Sequence, residues 1–266
     1  MSSLDDLDYD EPLKTMYKYT SFKSAFNILT SNKIYFAKLS EFNDPFDGLM
    51  AYDLSAEKKR ESYLNDAQQM FGAAMEDSQK QKFLNNQEYA NKLVRITADE
   101  VAKGDPNGFC CLTQTYESLP MWAHYANNHT GCCLVFDFSK YLDQKEEDQF
   151  PFHNIKKIEY QKDFPMHSLG RYWHYYAHKS LEWGYEKEWR AVMLAKPFMR
   201  SYSNTFVAQK SNGPGLYPLG DFVCGVILGD KMEDAYKEVI KSVAGQRNIN
   251  VQQASRKLYE YGIEVL

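Results

Sequence analysis

The stretch that decides the fold is EWGYEKEWRAVML, residues 182–194. Its second half is apolar, whereas its first half carries Glu186, Glu188 and Arg190. The pattern predicts a β-strand over residues 185–194, in which these three side chains share one face. The other face carries large apolar side chains, namely Tyr185, Trp189 and Met193. Because a buried lone charge is costly, Glu188 and Arg190 either pair inside the protein or line a cavity.

Strands and helices intermix on both sides of this stretch without a strict β-α-β alternation. The segments that predict strands are MYKYTS (16–21), KIYFAKL (33–39), FCCLTQT (109–115), CCLVFDF (132–138), IKKIEYQ (155–161) and FVCGVILG (222–229). Helical spacing of apolar residues predicts helices after the first strand, over 118–131 and over 168–183. We therefore predict an α+β fold with a mixed, mostly antiparallel sheet and flanking helices.

No Pro/Gly-rich linker separates two halves, so we predict a single domain over residues 1–266. Residues 1–14 are polar and predict a loose N-terminal arm. Residues 55–103 are rich in Ala, Lys, Glu and Gln, and predict a helical insert of two or three helices.

The bulk composition restricts the setting in which the protein works. A net charge of −5 does not indicate a broad nucleic-acid surface. The five cysteines form no CxxC pair, and the acidic N-terminus has no apolar h-region. No apolar run reaches about 18 residues, the length needed to span a membrane. We predict a cytoplasmic protein with reduced thiols and no membrane span.

Familiar catalytic and metal-binding patterns are absent from the sequence. There is no GxGxxG, GxxxxGKS/T, GxSxG or EF-hand pattern. His124 and His129 are five residues apart in a predicted helix, which places them on different faces. We predict no metal site on these ligands.

Two short segments have both a structural and a functional interpretation. Tyr17 and Tyr19 share one face of the first strand, and Thr20 and Ser21 end this strand. Thr20 and Ser21 either cap the next helix or hold an anion at its N-terminus. Asn43 and Asp44 precede Pro45 and either form a local turn or carry binding groups on a loop.

Aromatic residues make up 15% of the chain, which suits either a sheet-rich core or a ring-lined pocket for a flat ligand. Trp122 and Tyr125 are three residues apart and share one face of a predicted helix. Packing and ligand stacking both remain open for this pair.

Four motifs in order resemble a bacterial and phage family that is catalogued only as a domain of unknown function. They are the Tyr-x-Tyr strand, the Asn-Asp-Pro-Phe-Asp loop, the Met-Trp-x-x-Tyr helix and the Lys-x-x-x-Trp-x-x-Glu-x-Glu-Trp-Arg segment. The resemblance runs from about Tyr17 to the C-terminus, apart from the helical insert, and implies no activity.

A second, more distant resemblance does imply an enzymatic activity. A strand with a polar or aromatic residue, a helix, a second strand and a late strand with a Glu are similar to the layout of ADP-ribosyltransferases. Those enzymes cleave the nicotinamide–ribose bond of NAD in a split, mostly antiparallel sheet. They use a His or Arg on the first strand, a Tyr or a Ser-Thr-Ser element on the second, and a late Glu.

If the ADP-ribosyltransferase pattern applies to this sequence, the first-strand residue would be Tyr17 or Tyr19 and the second-strand residue would be Tyr35. The catalytic residue would be Glu188. Glu186 would complete a Glu-x-Glu pair like that of arginine-directed members. The missing first-strand His or Arg is a departure from the pattern.

The resemblance implies NAD as the substrate and a nucleotide as the bound ligand, with an acceptor macromolecule that the sequence leaves open. Trp122 or Tyr125 would stack on a flat ring, and Arg190 would hold a phosphate or orient Glu188. A toxin or phage-defence role would fit the setting of the family.

Two other functions stay open at this point. One is a non-enzymatic module that binds a nucleotide or a protein, with Glu188 and Arg190 as a structural pair. The other is a metal-dependent hydrolase or nuclease whose carboxylates would be Asp44, Asp47, Glu186 and Glu188.

Overall fold

A computed structural model describes residues 14–71, 75–141, 151–152, 154–166, 176–195 and 212–266. The strands are β1 (Thr15–Thr20), β2 (Lys33–Phe36), β3 (Gly108–Thr113), β4 (Cys132–Asp137), β5 (Ile155–Lys157), β6 (Glu159–Gln161), β7 (His178–Ser180), β8 (Glu188–Met193), β9 (Gly215–Pro218), β10 (Val223–Leu228), β11 (Asn250–Arg256) and β12 (Ile263–Val265). The helices are α1 (Phe22–Ser31), α2 (Glu57–Phe71), α3 (Asp77–Asn85), α4 (Gln87–Lys103), α5 (Leu119–Tyr125) and α6 (Asp234–Gly245). Two 3-10 helices cover Leu39–Glu41 and Leu181–Glu186.

The described residues divide into two compact units. The sheet unit comprises residues 14–38, Pro106–Ile158 and Glu182–Leu266, with the gaps given above. The helical unit comprises Leu39–Asp105 and Glu159–Leu181 with its gaps. The prediction of a single domain over residues 1–266 stays a prediction.

The sheet unit is built on eight strands in the order β12-β11-β10-β4-β1-β3-β8-β5. All neighbours are antiparallel except β10 and β11. The predicted α+β class with a mostly antiparallel sheet is therefore confirmed. A further antiparallel pair, β2 and β9, packs its buried residues into the larger core of this unit.

Both faces of the large sheet are covered. One face carries Met16, Leu134 and Phe136, which join residues of α1 and α6 in the larger core. The opposite face carries Tyr19 and Cys133, which pack with α5 in a second cluster. All six residues of β8 are buried, including the charged Glu188 and Arg190.

Local sequence signals explain α1. Ser21 accepts a hydrogen bond from the Ser24 backbone N–H at 3.2 Å, and Asn32 ends the helix in a left-handed conformation at φ 53°. The buried face of the helix holds Ala25, Ile28 and Leu29 at helical spacing.

The helical unit contains α2, α3 and α4, which occupy most of the predicted insert over residues 55–103. Its core consists of Leu54, Phe83, Ala90 and Val94. The short strands β6 and β7 pair in parallel in the same unit.

Several predicted elements differ in the structure. The helix predicted over 118–131 ends at Tyr125, so His129 lies beyond it, and the strand predicted over 33–39 ends at Phe36. The strand predicted over 185–194 begins only at Glu188, and the residues before it form a 3-10 helix. The helix predicted over 168–183 includes β7 at 178–180, and its part over 168–175 lies outside the described residues. The strand predicted over 155–161 is divided into β5 and β6. Of the predicted arm over 1–14, the structure describes only Lys14.

Candidate functional site

The candidate site lies in the sheet unit, where three neighbouring strands bring three polar side chains into one row. Tyr17 on β1 is the register partner of Thr113 on β3, and Thr113 is the partner of Glu188 on β8. Directly opposite residues of antiparallel strands lie on the same face. The row therefore joins residues that are 96 and 75 positions apart in the chain, counted from Tyr17 to Thr113 and from Thr113 to Glu188.

Glu188 and Arg190 form a buried bidentate ion pair. The Arg190 Nε donates to Glu188 Oε1 at 2.8 Å, and Nη2 donates to Oε2 at 3.1 Å. Their side chains are 3% and 1% exposed. Of the two alternatives that the sequence left open for these residues, the structure has the ion pair. Because the guanidinium contacts both oxygens, the carboxylate is fixed in direction and favoured in its ionised form.

Glu186 is not a member of the same strand face, which corrects the sequence prediction. It ends the 3-10 helix, and Lys187 follows with a positive φ of 44°, so the alternation of a strand does not extend to it. The Glu186 carboxylate accepts a hydrogen bond from the Tyr125 hydroxyl. Its backbone carbonyl accepts one from Thr113 Oγ1 at 2.5 Å. Thr113 thus links the row directly to the segment that carries Glu186.

The site elements also carry aromatic side chains, of which Tyr17, Tyr116, Tyr125 and Tyr185 are half-buried and His124 is exposed. Tyr17 and Tyr116 are in edge-to-face contact, with ring centroids 5.4 Å apart. His124 stacks on Tyr185 at 6.2 Å, and Tyr125 is tied to Glu186. Burial raises the pKa of the Tyr17 hydroxyl, with further contributions from Cys133 and Tyr116, so the phenol stays protonated at neutral pH.

Trp122 is part of the second hydrophobic cluster of the sheet unit. It is completely buried, its indole N–H donates to the Tyr116 carbonyl at 2.7 Å, and its ring meets Tyr19 edge-to-face at 5.1 Å. The Tyr19 hydroxyl accepts from the Ser118 backbone N–H at 3.2 Å, and burial raises its pKa far above the usual range. These contacts favour packing over ligand stacking for both residues.

The remaining predicted residues are not brought into the row. Thr20 is buried at the end of β1, and Ser21 caps α1. Tyr35 lies on β2, which pairs with β9 rather than with a strand of the large sheet. Asn43 and Asp44 belong to the helical unit, where Asp44 Oδ1 accepts from the Phe46 backbone N–H at 2.9 Å in a local turn.

Sequence reasoning missed three residues of the site, namely Lys18, Cys111 and Thr113. Cys111 is the register partner of Arg190, and burial and the nearby Glu188 raise the pKa of its thiol. The signal in the sequence was FCCLT, a buried strand that ends in a hydroxyl residue. It could not be assigned to the site because only the strand order shows that β3 lies between β1 and β8.

Among the described residues there is neither a metal-binding cluster nor a helix that could span a membrane. Within that part of the chain, no group of three His, Cys, Asp or Glu side chains is placed to hold a metal ion. No helix of the described ranges is both long enough and apolar enough to cross a membrane.

Comparison with known proteins gives a family without an assigned activity. Residues 121–191 match the family described as Protein of unknown function (DUF2971). This confirms the resemblance to an uncharacterised family over a stretch that begins in α5 and ends in β8. No curated protein and no solved structure matches the chain.

Proposed function

We propose that this protein is an ADP-ribosyltransferase-like enzyme that cleaves the nicotinamide–ribose bond of NAD, with Glu188 as the catalytic carboxylate. The observation that carries the proposal is the row Tyr17, Thr113 and Glu188 on the adjacent strands β1, β3 and β8. ADP-ribosyltransferases, which the sequence resembles distantly, also combine a first-strand residue, a second-strand hydroxyl and a late Glu.

Because of this row, we assign the second-strand role to Thr113 on β3 instead of Tyr35 on β2. The sequence indicated Tyr35, but β2 is paired with β9. Thr113 takes the role because β3 lies between the strand of Tyr17 and the strand of Glu188. Its hydroxyl already binds the Glu186 carbonyl, so it holds the segment that leads into β8.

The proposed chemistry needs a fixed negative charge. When the bond between ribose C1′ and the nicotinamide nitrogen breaks, its electron pair leaves with nicotinamide and positive charge develops on the ribose. A carboxylate beside this carbon stabilises that charge and can accept hydrogen bonds from the ribose hydroxyls. A nucleophile of the acceptor, or water, then bonds to C1′ and loses a proton. In this proposal Glu188 provides the carboxylate and Arg190 orients it.

The half-buried ring of Tyr17 in the row, with Tyr116 against it, offers an apolar edge for the nicotinamide or adenine ring. Tyr125 holds Glu186 on the same side of the site. We assign the enzyme to the cytoplasm as part of this proposal, because the five cysteines in the described residues are all free thiols. A toxin or phage-defence role is the setting we propose from the family resemblance.

Thermal unfolding with and without NAD tests whether the site binds the proposed substrate. At a concentration of about 100 times Kd, NAD should stabilise the folded protein by about 2.7 kcal/mol. Tyr17→Ala should weaken this stabilisation, whereas Tyr259→Ala, at a fully exposed tyrosine, should preserve it. A melting temperature that does not respond to millimolar NAD would contradict the proposal.

A non-enzymatic binding module is the second candidate, and the buried bidentate pair favours it specifically. Both carboxylate oxygens of Glu188 already contact Arg190, which is the arrangement expected of a structural ion pair. In that case a Glu188→Met/Arg190→Met double variant should fold and bind its ligand as the wild type does. Loss of NAD binding or turnover in a folded double variant would favour the enzyme.

A further inference from the structure

The contact between β1 and β3 is narrow. β1 pairs with β4 through all six of its residues, from Thr15 to Thr20. Among the described strand pairs, β1 is in register with β3 only at Tyr17 and Thr113. Beyond this point β1 does not pair with β3, and farther along the same edge of β3 Phe109 exchanges two backbone hydrogen bonds with Ala37 instead. On its other side β3 stays fully paired with β8. The large sheet therefore has a seam between β1 and β3, directly beside the row of the candidate site.

The side chain of Lys18 crosses this seam. Its Nζ donates to the Cys111 carbonyl oxygen at 2.9 Å, so the ammonium group satisfies a β3 acceptor on the side that faces β1. The lysine thus replaces, with its side chain, a backbone hydrogen bond that the diverging strands cannot make.

The same lysine places a positive charge close to Glu188. Burial lowers the pKa of Lys18, but Cys110, Cys111 and Glu188 raise it, and the net direction is upward. Burial is also the largest cause that raises the pKa of both thiols. Lys18 is therefore an ammonium ion on β1. The Glu188 carboxylate near it also binds Arg190, which is on the same strand as Glu188, β8.

We propose that Lys18 clamps the seam between β1 and β3 and thereby positions Glu188 against Tyr17. Its effect on catalysis rests on the function proposed above, whereas its effect on the seam does not. It is a positioning residue rather than a catalytic one.

Site-specific thiol labelling tests the clamp without reference to any activity. The full-length wild type, Lys18→Met and Lys18→Arg would be treated with N-ethylmaleimide under native conditions, and each cysteine quantified by peptide mass spectrometry. Lys18→Met should increase the labelling rate of Cys110 and Cys111 by roughly tenfold through local opening. Cys132 and Cys133, on the fully paired β4, should change little, and the exposed Cys224 serves as the positive control. Lys18→Arg retains a donor and should stay closer to the wild type.

Steady-state NAD cleavage by the same three proteins tests the positioning role. Lys18→Met should lower kcat by about tenfold with KM for NAD changed by less than about threefold, and Lys18→Arg should recover much of the loss. Unchanged labelling of Cys110 and Cys111, or an equal rise at all four buried or half-buried cysteines, would overturn the clamp. Unchanged kcat in Lys18→Met would overturn the positioning role. If the wild type does not cleave NAD but the labelling changes as expected, the proposed function fails while the clamp stands.

Discussion

At the scale of single residues, the site holds two acidic side chains in two different ways. Glu188 is neutralised by a guanidinium that contacts both of its oxygens. Glu186 is equally buried but is bound by the phenol of Tyr125. A charge–charge pair and a charge–dipole pair respond differently to substitution, so the two can be tested separately.

Arg190→Met should lower the free energy of unfolding by about 3–5 kcal/mol, because it leaves the Glu188 carboxylate buried without its counter-ion. Adding Glu188→Met should recover most of this loss. Urea denaturation of the wild type, both single variants and the double variant gives the coupling energy. A double variant that is as unstable as the worse single variant would contradict the pairing as described.

Tyr125→Phe should lower the free energy of unfolding by about 1–3 kcal/mol, since it removes a hydrogen bond to a buried carboxylate and keeps the ring. Tyr259→Phe is the matched control because this tyrosine is fully exposed. Equal melting temperatures for the two variants would show that the Tyr125 hydroxyl contributes nothing to Glu186.

The pairing of Glu188 with Arg190 could be predicted from their i, i+2 spacing within a strand. The position of Glu186 could not, because the alternation argument assumes a continuous strand. A left-handed conformation at Lys187 interrupts it, and Lys is not a residue type that signals this conformation.

At the scale of elements, the site depends on the order of the strands rather than on any single strand. α5 leads into β4 through a turn at Gly131, where β1 also ends. A Cβ atom at Gly131 would lie 2.3 Å from the Thr20 carbonyl oxygen, so only glycine fits between these backbones. The close approach keeps the end of β1 against the α5–β4 connection.

Gly131→Ala should therefore destabilise the protein by at least about 2 kcal/mol, since neither backbone can move aside without strain. Gly245→Ala is the control, because a Cβ atom at that position in α6 meets no atom within 4 Å. Thermal unfolding of both variants measures the difference. A Gly131→Ala protein that melts with the wild type would show that the turn relaxes freely.

The strands themselves could be predicted from apolar runs such as CCLVFDF and FVCGVILG, whose residues fill the core of the sheet. Their order could not, because it depends on pairings between distant segments. In the structure β3 lies between β1 and β8, while β2 pairs with β9 and Ala37, just after β2, forms an isolated bridge to Phe109 of β3.

At the scale of the whole molecule, each unit has a hydrophobic core of its own. The core of the helical unit is small, with the completely buried Phe83 as its largest member. The cores of the sheet unit are formed by the large sheet with α1, α5 and α6. Composition could predict the helices over 55–103, but it gave no information about which residues form a separate core.

Phe83→Ala should destabilise the helical unit by about 3–5 kcal/mol through the cavity that it leaves. Hydrogen exchange should then accelerate in α2, α3 and α4, with little change in β1 and β4. Faster exchange of equal size throughout both sets of elements would contradict separate cores.

Nicotinamide release from NAD by the wild type and Glu188→Gln is the most direct test of the proposed function. Glu264→Gln is the matched control, because Glu264 is an exposed carboxylate on a strand of the same sheet. The proposal predicts release by the wild type and Glu264→Gln, and a loss of at least about a hundredfold in a folded Glu188→Gln protein. Equal release by the wild type and Glu188→Gln, or none by the folded wild type, would contradict it.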